Sequence, residues 1–258
     1  MKPWERLGLP EPKSEASRGE LSLIDYEVYS GLETKPPYWI RLDGWRFHRV
    51  CQGFKKPFDL RLARTLVRIA RELLKLFNGQ LAYLFSDEIN LLFLKPSGFK
   101  RIEKLDSILA GIASAIFSLK FGKPAAFDCR VIPMPKRTVL RYLRWRQAEC
   151  FRNHNNAWAY WLLRKQGLSA RQATRKLTGL KTPQLFDLCR SLGKPLDRTP
   201  GWQRKGILLY WKIVKKKGWD PIKRKHVWAE RRRIVEKWDP PWFHEKEGKE
   251  LIGALLNV

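Results

Sequence analysis

Apolar and polar positions change their period several times between residues 38 and 133, and each change predicts an element. Tyr38-Trp39-Ile40-Arg41-Leu42 is a β-prone run that breaks at Asp43-Gly44, so it predicts a strand ending in a turn. Leu62, Leu66, Ile69, Leu73 and Leu76 then recur at helical spacing, predicting a helix from about Asp59 to Phe77 with Gly79 just past its end. Gln80 to Ser86 and Ile89 to Leu94 predict a hairpin tipped by Asp87-Glu88. After a basic connector, Lys95 to Lys104, an apolar helix runs to about Leu119, Gly122 and Pro124 punctuate, and Ala126 to Pro133 predicts a further strand. Strand, helix, strand, strand, helix, strand is the split βαβ order of an α+β, ferredoxin-like domain. That topology lays the first strand beside the hairpin, so Asp43 would meet Asp87-Glu88. With both helices on one face, the other face would stay open to substrate.

The flanks are patterned differently. Residues 1 to 36 predict a loose arm, with a short helix around Leu21 to Tyr29 and a stop at Pro36-Pro37. The chain from 137 to 258 predicts a helical and basic-hairpin region packed on the core at 37 to 136. Its helices are Thr138 to Gln166, a segment capped by Ser169 and running through Leu177, and Thr182 to Leu192. Gly206 to Val214 is β-like, and a Lys-rich turn leads to a returning strand around Arg231 to Trp238. Trp145, Trp158 and Trp161 are expected in the core, because tryptophan is buried on average.

Charge changes the picture. Fifty-two Lys and Arg face 25 Asp and Glu, a formal net charge of +27, which favours a polyanionic partner such as nucleic acid. Between Lys212 and Arg233 ten cations face two acids, Asp220 and Glu230, and alternate with Trp211, Trp219 and Trp228. This stretch is expected to be folded and to present part of a phosphate-binding surface. A hydrophobic content of 44% excludes a disordered chain. Cys51, Cys129, Cys150 and Cys189 lie far apart without zinc spacing and are expected to be reduced, mostly buried thiols of a cytoplasmic protein. The Pro-broken, charged N-terminus does not read as a secretory signal, and the longest apolar run, Ile108 to Leu119, is too short to span a bilayer, so no membrane is implied.

The chemistry concentrates at the strand ends. Asp43 and Asp87, with the Gly44 carbonyl as a further hard oxygen, suit Mg²⁺, which takes one or two protein carboxylates and completes its shell with water and substrate phosphate. Two such ions would activate an attacking oxygen and steady a leaving pyrophosphate. Asp-Gly and Asp-Glu are also ordinary turn dipeptides, and the case rests on their joint occurrence in a basic chain. Arg61, Arg64, Arg68, Arg71 and Lys75 mostly form a solvated helix face. Lys56 and Arg61 differ, because they sit at the start of the helix, where anions are favoured. The same fold order serves non-catalytic RNA-binding sheets, although no aromatic RNP-type run is present on these strands.

Arg41-Leu42-Asp43-Gly44-x-x-Phe47-His48, Lys56-Pro57-x-Asp59-x-Arg61, Ser86-Asp87-Glu88, Trp145-Arg146-Gln147-Ala148 and Arg204-Lys205-Gly206 occur in order. From about Tyr26 to Trp238 the chain resembles the tRNA(His) guanylyltransferase family and its archaeal and bacterial relatives, 3′-5′ polymerases that extend RNA at its 5′ end. The resemblance implies a polymerase-palm catalytic core with two Mg²⁺ ions. It implies Asp43, Gly44 and Asp87 as metal ligands and Glu88 as their catalytic neighbour. Phe47, His48, Lys56, Asp59, Arg61, Lys100, Arg101 and Lys104 would hold the nucleotide, with Asp59 reading its base edge. Arg146, Gln147, Arg152, Asn153, Asn156, Arg204 and Lys205 would contact tRNA.

The implied reaction activates a 5′-phosphate with ATP or GTP, attacks it with the 3′-hydroxyl of an incoming nucleotide, and then removes pyrophosphate. A tetramer is implied as well. Phe151 departs from the His-Ile-Asn-Asn motif that many eukaryotic members carry, which points to the subgroup that repairs tRNA 5′ ends by copying a template strand; addition of a guanosine to tRNA(His) stays open beside it. A non-catalytic RNA-binding protein and a nucleotidyl cyclase-like enzyme are the competing readings.

Overall fold

In the computed structural model the described residues are Arg6, 26–222 and 224–257. The arm helix expected at Leu21 to Tyr29 falls outside them except for Tyr26 to Tyr29, which are exposed. Six strands, β1 (Tyr38–Gly44), β2 (Leu81–Phe85), β3 (Glu88–Phe93), β4 (Phe127–Pro133), β5 (Ile207–Asp220) and β6 (Lys225–Lys237), form one antiparallel sheet in the order β4-β1-β3-β2-β5-β6. The first four have the ferredoxin-like order. Short α1 (Phe47–Val50) and long α2 (Leu60–Leu76) join β1 to β2, and α3 (Ile102–Phe121) joins β3 to β4.

Strand alternation sorts the side chains. Tyr38, Ile40 and Leu42 of β1 pack with Leu66, Ile69, Ala70 and Leu73 of α2 and with Leu105, Leu109, Ala113 and Phe117 of α3. Burying each large aliphatic side chain contributes about 1.5–3 kcal/mol, so this stripe anchors both helices. Leu76, expected in that stripe, is exposed on the last turn of α2.

The opposite face is not open. Trp39, Leu81, Tyr83, Phe85 and Leu92 form a second core with Val139, Tyr142, Leu143 and Cys150 of α4 (Val139–Lys165) and with Ile252 and Leu255 of α8 (Lys246–Leu256). The reason is visible in β2 and β3. Their side chains are buried on both faces, as continuous apolar runs require, and such strands need a layer on each side. Beyond the sheet, α5 (Ala170–Leu177) and α6 (Thr182–Ser191) pack on the C-terminal half of α4 around Ala159, Leu185, Cys189 and Leu196. The one-turn α7 (Gly201–Lys205) leads into β5.

The basic segment extends the sheet rather than forming a turn. Ile207 to Tyr210 pairs with β2, while β5 and β6 stay paired to Asp220↔Lys225, so the hairpin outruns its neighbour as a two-stranded ribbon. Trp219 and Trp228 are exposed on it. The Trp211 indole donates to the Gly79 carbonyl at 2.9 Å, and Arg71 pairs with Glu236, fastening its base to α2. All four cysteines are free; Cys51, Cys150 and Cys189 are buried and Cys129 is half-buried. Among the described residues no helix is long and apolar enough to cross a membrane.

Candidate active site at the carboxylate end of the sheet

β1, β3 and β4 bring three carboxylates into one row. Asp43 lies directly opposite Glu88 on one side and Asp128 on the other, and Asp87 sits at the β2–β3 turn beside them. Directly opposed side chains in an antiparallel sheet stand about 4.5–5.5 Å apart, and like charges there repel. The electrostatics follow. The Asp43 carboxyl is pushed up to about 6, first by burial and then by Asp87, Glu88 and Asp128, with Arg130 pulling the other way. Asp87 is also raised, mainly by burial, although the Ser86 hydroxyl donates to its Oδ1 at 3.0 Å. Ser86 adopts φ +51° at the tight tip that delivers Asp87.

Glu88 is held differently. Arg146 reaches down from α4 and grips it with two of its nitrogens, Nε to Oε1 at 2.9 Å and Nη2 to Oε2 at 2.5 Å. The Tyr142 hydroxyl donates to Asn90 Oδ1 at 2.6 Å, and Asn90 Nδ2 donates to Glu88 Oε1 at 2.7 Å. Glu88 is therefore the partnered, buried member, while Asp43 and Asp87 remain a destabilised pair beside it. Among the described residues no three His, Cys, Asp or Glu side chains are grouped closely enough to hold a metal ion unaided. Two carboxylates with raised pKa values fit an ion such as Mg²⁺ that borrows its remaining ligands from water and substrate phosphate.

The start of α2 reaches the same end of the sheet, since Lys55, Lys56, Asp59 and Ser86 line one small cavity with Trp202. Asp59 caps α2 by accepting from Arg61 N at 2.8 Å, accepts from Lys55 N at 2.9 Å, and pairs with Arg61 Nη2 at 2.6 Å. Its carboxylate is held well below the usual range, chiefly by the Arg61 hydrogen bonds. Base-edge recognition by Asp59 would have to displace one of these donors. Lys56 is exposed, 5.8 Å over the Trp161 ring, and His48 is exposed on α1. Phe47 is a core residue, its ring 4.8 Å from Phe117 and 4.9 Å from Phe127, and Gly44 is required beneath it, because a Cβ there would lie 2.4 Å from the ring.

Three expected nucleotide contacts are carried elsewhere. Lys100, Arg101 and Lys104 follow β3, whose far end pairs Phe93 with Tyr38, about 17 Å along the strand from Glu88. Arg101 pairs with Glu103 at 2.8 Å, and Lys104 lies over Phe99. The connector emerges from the wrong end of the strand to face the carboxylates within this chain.

The expected tRNA contacts also divide. Arg146 is committed to Glu88. Gln147 is buried, its amide donating to Pro241 O at 3.1 Å and accepting from Phe243 N at 2.7 Å. Lys205 pairs with Asp239 at 2.5 Å, and Arg204 is half-buried. Arg152 and Asn153 are exposed, Arg152 paired to Glu149, and Asn156 donates to Arg152 O at 3.0 Å. Sequence reasoning missed Asn90, Tyr142 and Asp128. Asp128 had a detectable signal, an acid near the start of the strand expected at Ala126 to Pro133, whereas the Arg146–Glu88 contact had none.

A ferredoxin-like sheet that gathers carboxylates at one end, backed by a helix that locks one of them, has the layout of a palm-like core. Two family models account for the chain in tandem, the tRNAHis guanylyltransferase model over residues 22–135 and the Thg1 C terminal domain over residues 137–239. The chain belongs to the tRNA(His) guanylyltransferase family. It is 31% identical to the Mus musculus protein named "Probable tRNA(His) guanylyltransferase" over 69% of this chain and 66% of that one. It is 29% identical to tRNA(His) guanylyltransferase 1 of Arabidopsis thaliana over 68% of this chain and 34% of that one. The matched region thus spans a little under two thirds, or less, of these relatives. A bacterial tRNA(His) guanylyltransferase (Thg1)-like protein in complex with GTP shares the fold, with a TM-score of 0.68, 22% identity, and coverage of 91% of this chain and 97% of that one. The Saccharomyces cerevisiae enzyme does so with a TM-score of 0.62, 20% identity, and coverage of 79% and 94%.

Proposed function

We propose that this protein is a template-dependent 3′-5′ nucleotidyltransferase that adds nucleotides to the 5′ end of tRNA, for 5′-end repair or for addition of the extra guanosine of tRNA(His). The observation that carries the reading is the row Asp128, Asp43, Glu88 with Asp87 beside it, in which only Glu88 has a buried cation. Asp43 and Asp87, with the Gly44 carbonyl, would hold two Mg²⁺ ions. When bound, these would neutralise phosphate charge and lower the pKa of the attacking hydroxyl.

The chain's own residues do the rest. Arg146 holds Glu88 in place through two hydrogen bonds, so the acidic row has one fixed member. Lys56, exposed just ahead of α2, would meet the triphosphate of a nucleotide. In the first transfer a 5′-phosphate oxygen attacks the α-phosphorus of ATP or GTP and pyrophosphate leaves. In the second, the 3′-hydroxyl of the incoming nucleotide attacks the activated 5′-phosphorus and the nucleoside monophosphate leaves; removal of pyrophosphate from the new end follows. Support comes from family membership and from the nucleotide in the bacterial relative's complex. A homo-oligomer, a tetramer by family resemblance, and a cytoplasmic location belong to the same reading.

The test supplies a 5′-monophosphorylated tRNA lacking its first nucleotide with Mg²⁺, ATP and each NTP in turn. Incorporation that follows the opposing base supports the repair polymerase. Addition of G alone, to tRNA(His) alone, makes it a maturation enzyme. Salt-sensitive binding without incorporation returns the protein to the RNA-binding class.

A further inference from the structure

Trp145 was expected in the core, yet it is 51% exposed on α4. The stripe Arg141, Arg144, Trp145, Ala148 runs along the outer side of the helix, opposite the buried Tyr142, Leu143, Arg146 and Cys150. Two grooves meet at this tryptophan. One, of about 680 Å³, runs between Trp145 and the Phe151–Trp242 pair, with Arg141 and Arg144 in its lining. The other, of about 570 Å³, runs from Trp145 and Arg141 to Met134 and Pro135. Among the described residues no carboxylate lines either groove. The ring is braced by two neighbours: the Arg146 guanidinium lies 4.5 Å from its centroid and Tyr142 meets it edge-on at 5.8 Å. Those two residues are the ones that hold Glu88, directly and through Asn90.

We infer that Trp145, with Arg141 and Arg144, is a stacking platform for a single-stranded RNA 3′ overhang, the unpaired continuation of the strand that templates the reaction. A flat aromatic face bordered by cations suits an unpaired nucleotide stretch, which brings a π-face and a phosphate with each residue. Position selects the occupant. In a paired stem the 5′ end of one strand and the 3′ end of its partner leave the same terminus, so a stem presenting its 5′ end to the carboxylate row sends its partner's overhang past that row. The platform lies one guanidinium away from it. This inference rests on the proposed 5′-end chemistry and specifies how that same site grips its substrate.

The experiment compares binding of the full-length protein to three RNA stems of one sequence, blunt, with a four-nucleotide 3′ overhang, or with a four-nucleotide 5′ overhang. Fluorescence anisotropy is read for wild type, Trp145→Ala, Trp145→Phe and Asp87→Ala. The expected result is a 3′-overhang stem that binds about 5- to 100-fold tighter than the blunt stem, a gain lost in Trp145→Ala and kept in Trp145→Phe and Asp87→Ala. A Trp145→Ala protein that melts with wild type and keeps the full gain overturns the proposal. So does a gain with the 5′ overhang only. Trp145→Ala that changes the sedimentation of the protein without changing the overhang gain would make this face a contact between copies, again overturning it. An overhang gain in a wild-type protein that never adds a nucleotide sustains the platform and removes the nucleotidyltransferase reading, so the two fail separately.

Discussion

Arg146 and Glu88, 58 positions apart in the chain, form a two-pronged ion pair whose side chains are each only 9% exposed. Removing one partner of such a pair strands a buried charge, which costs about 3–5 kcal/mol. Arg146→Ala is therefore expected to lower stability by that amount in urea titrations. The double variant Arg146→Met with Glu88→Met is expected to recover most of the loss while remaining inactive. Equal loss in single and double variants would show that the pair is not the source.

Asp43 carries the opposite logic. Its pKa is raised to about 6 in the fold against about 3.9 in an unfolded chain, so the ionised form opposes folding above about pH 6, and the penalty is relieved as pH falls toward 4. Asp43→Asn is expected to melt higher than wild type at pH 7.5 without divalent metal, to lose that advantage near pH 4, and to add no nucleotide. A lower melting temperature at pH 7.5 would contradict the strained carboxylate row.

Metal and proton compete for the same group. Mg²⁺ is expected to raise the melting temperature of the wild-type protein at pH 7.5, because a ligand that binds only the folded state stabilises it. The rise should shrink as pH falls through 6 and should vanish in an Asp43→Asn/Asp87→Asn protein. Calorimetric scans at several pH values check this.

Asp59 behaves as an ordinary helix cap with a depressed pKa. It stabilises the fold above about pH 4 and that contribution is lost as pH falls below the unfolded value. Asp59→Ala is expected to cost about 0.5–2 kcal/mol at pH 7. If it also reads the base edge, the variant will change the preference among NTPs in single-turnover addition; an unchanged preference confines Asp59 to capping.

Gly44→Ala is expected to destabilise the protein by about 1–3 kcal/mol, because the added Cβ would fall 2.4 Å from the Phe47 ring, which is held between Phe117 and Phe127. Pairing it with Phe47→Leu should recover part of the loss in a denaturant titration.

Sequence by itself determined the local pieces. Period-two and period-3.6 patterns placed β1, α2, the β2–β3 hairpin, α3 and β4 to within a few residues, and the turn dipeptides put Asp43 and Asp87 at strand ends. The split βαβ order then followed, because chain order and strand pairing are tied. The five motifs carried the family. Tertiary structure decided what no local pattern encodes. The second face of the sheet, expected to be open, is covered by α4 and α8, and only packing showed it. The facing of Asp128, Asp43 and Glu88 is a register relation across three strands. The commitment of Arg146 to Glu88 joins a sheet to a helix 58 residues away. The direction of β3 sends Lys100, Arg101 and Lys104 to the far end. Trp145 faces outward because the inner stripe of α4 is filled by Tyr142, Leu143, Arg146 and Cys150. Each is a long-range choice between buried area and charge pairing, made when the layers close.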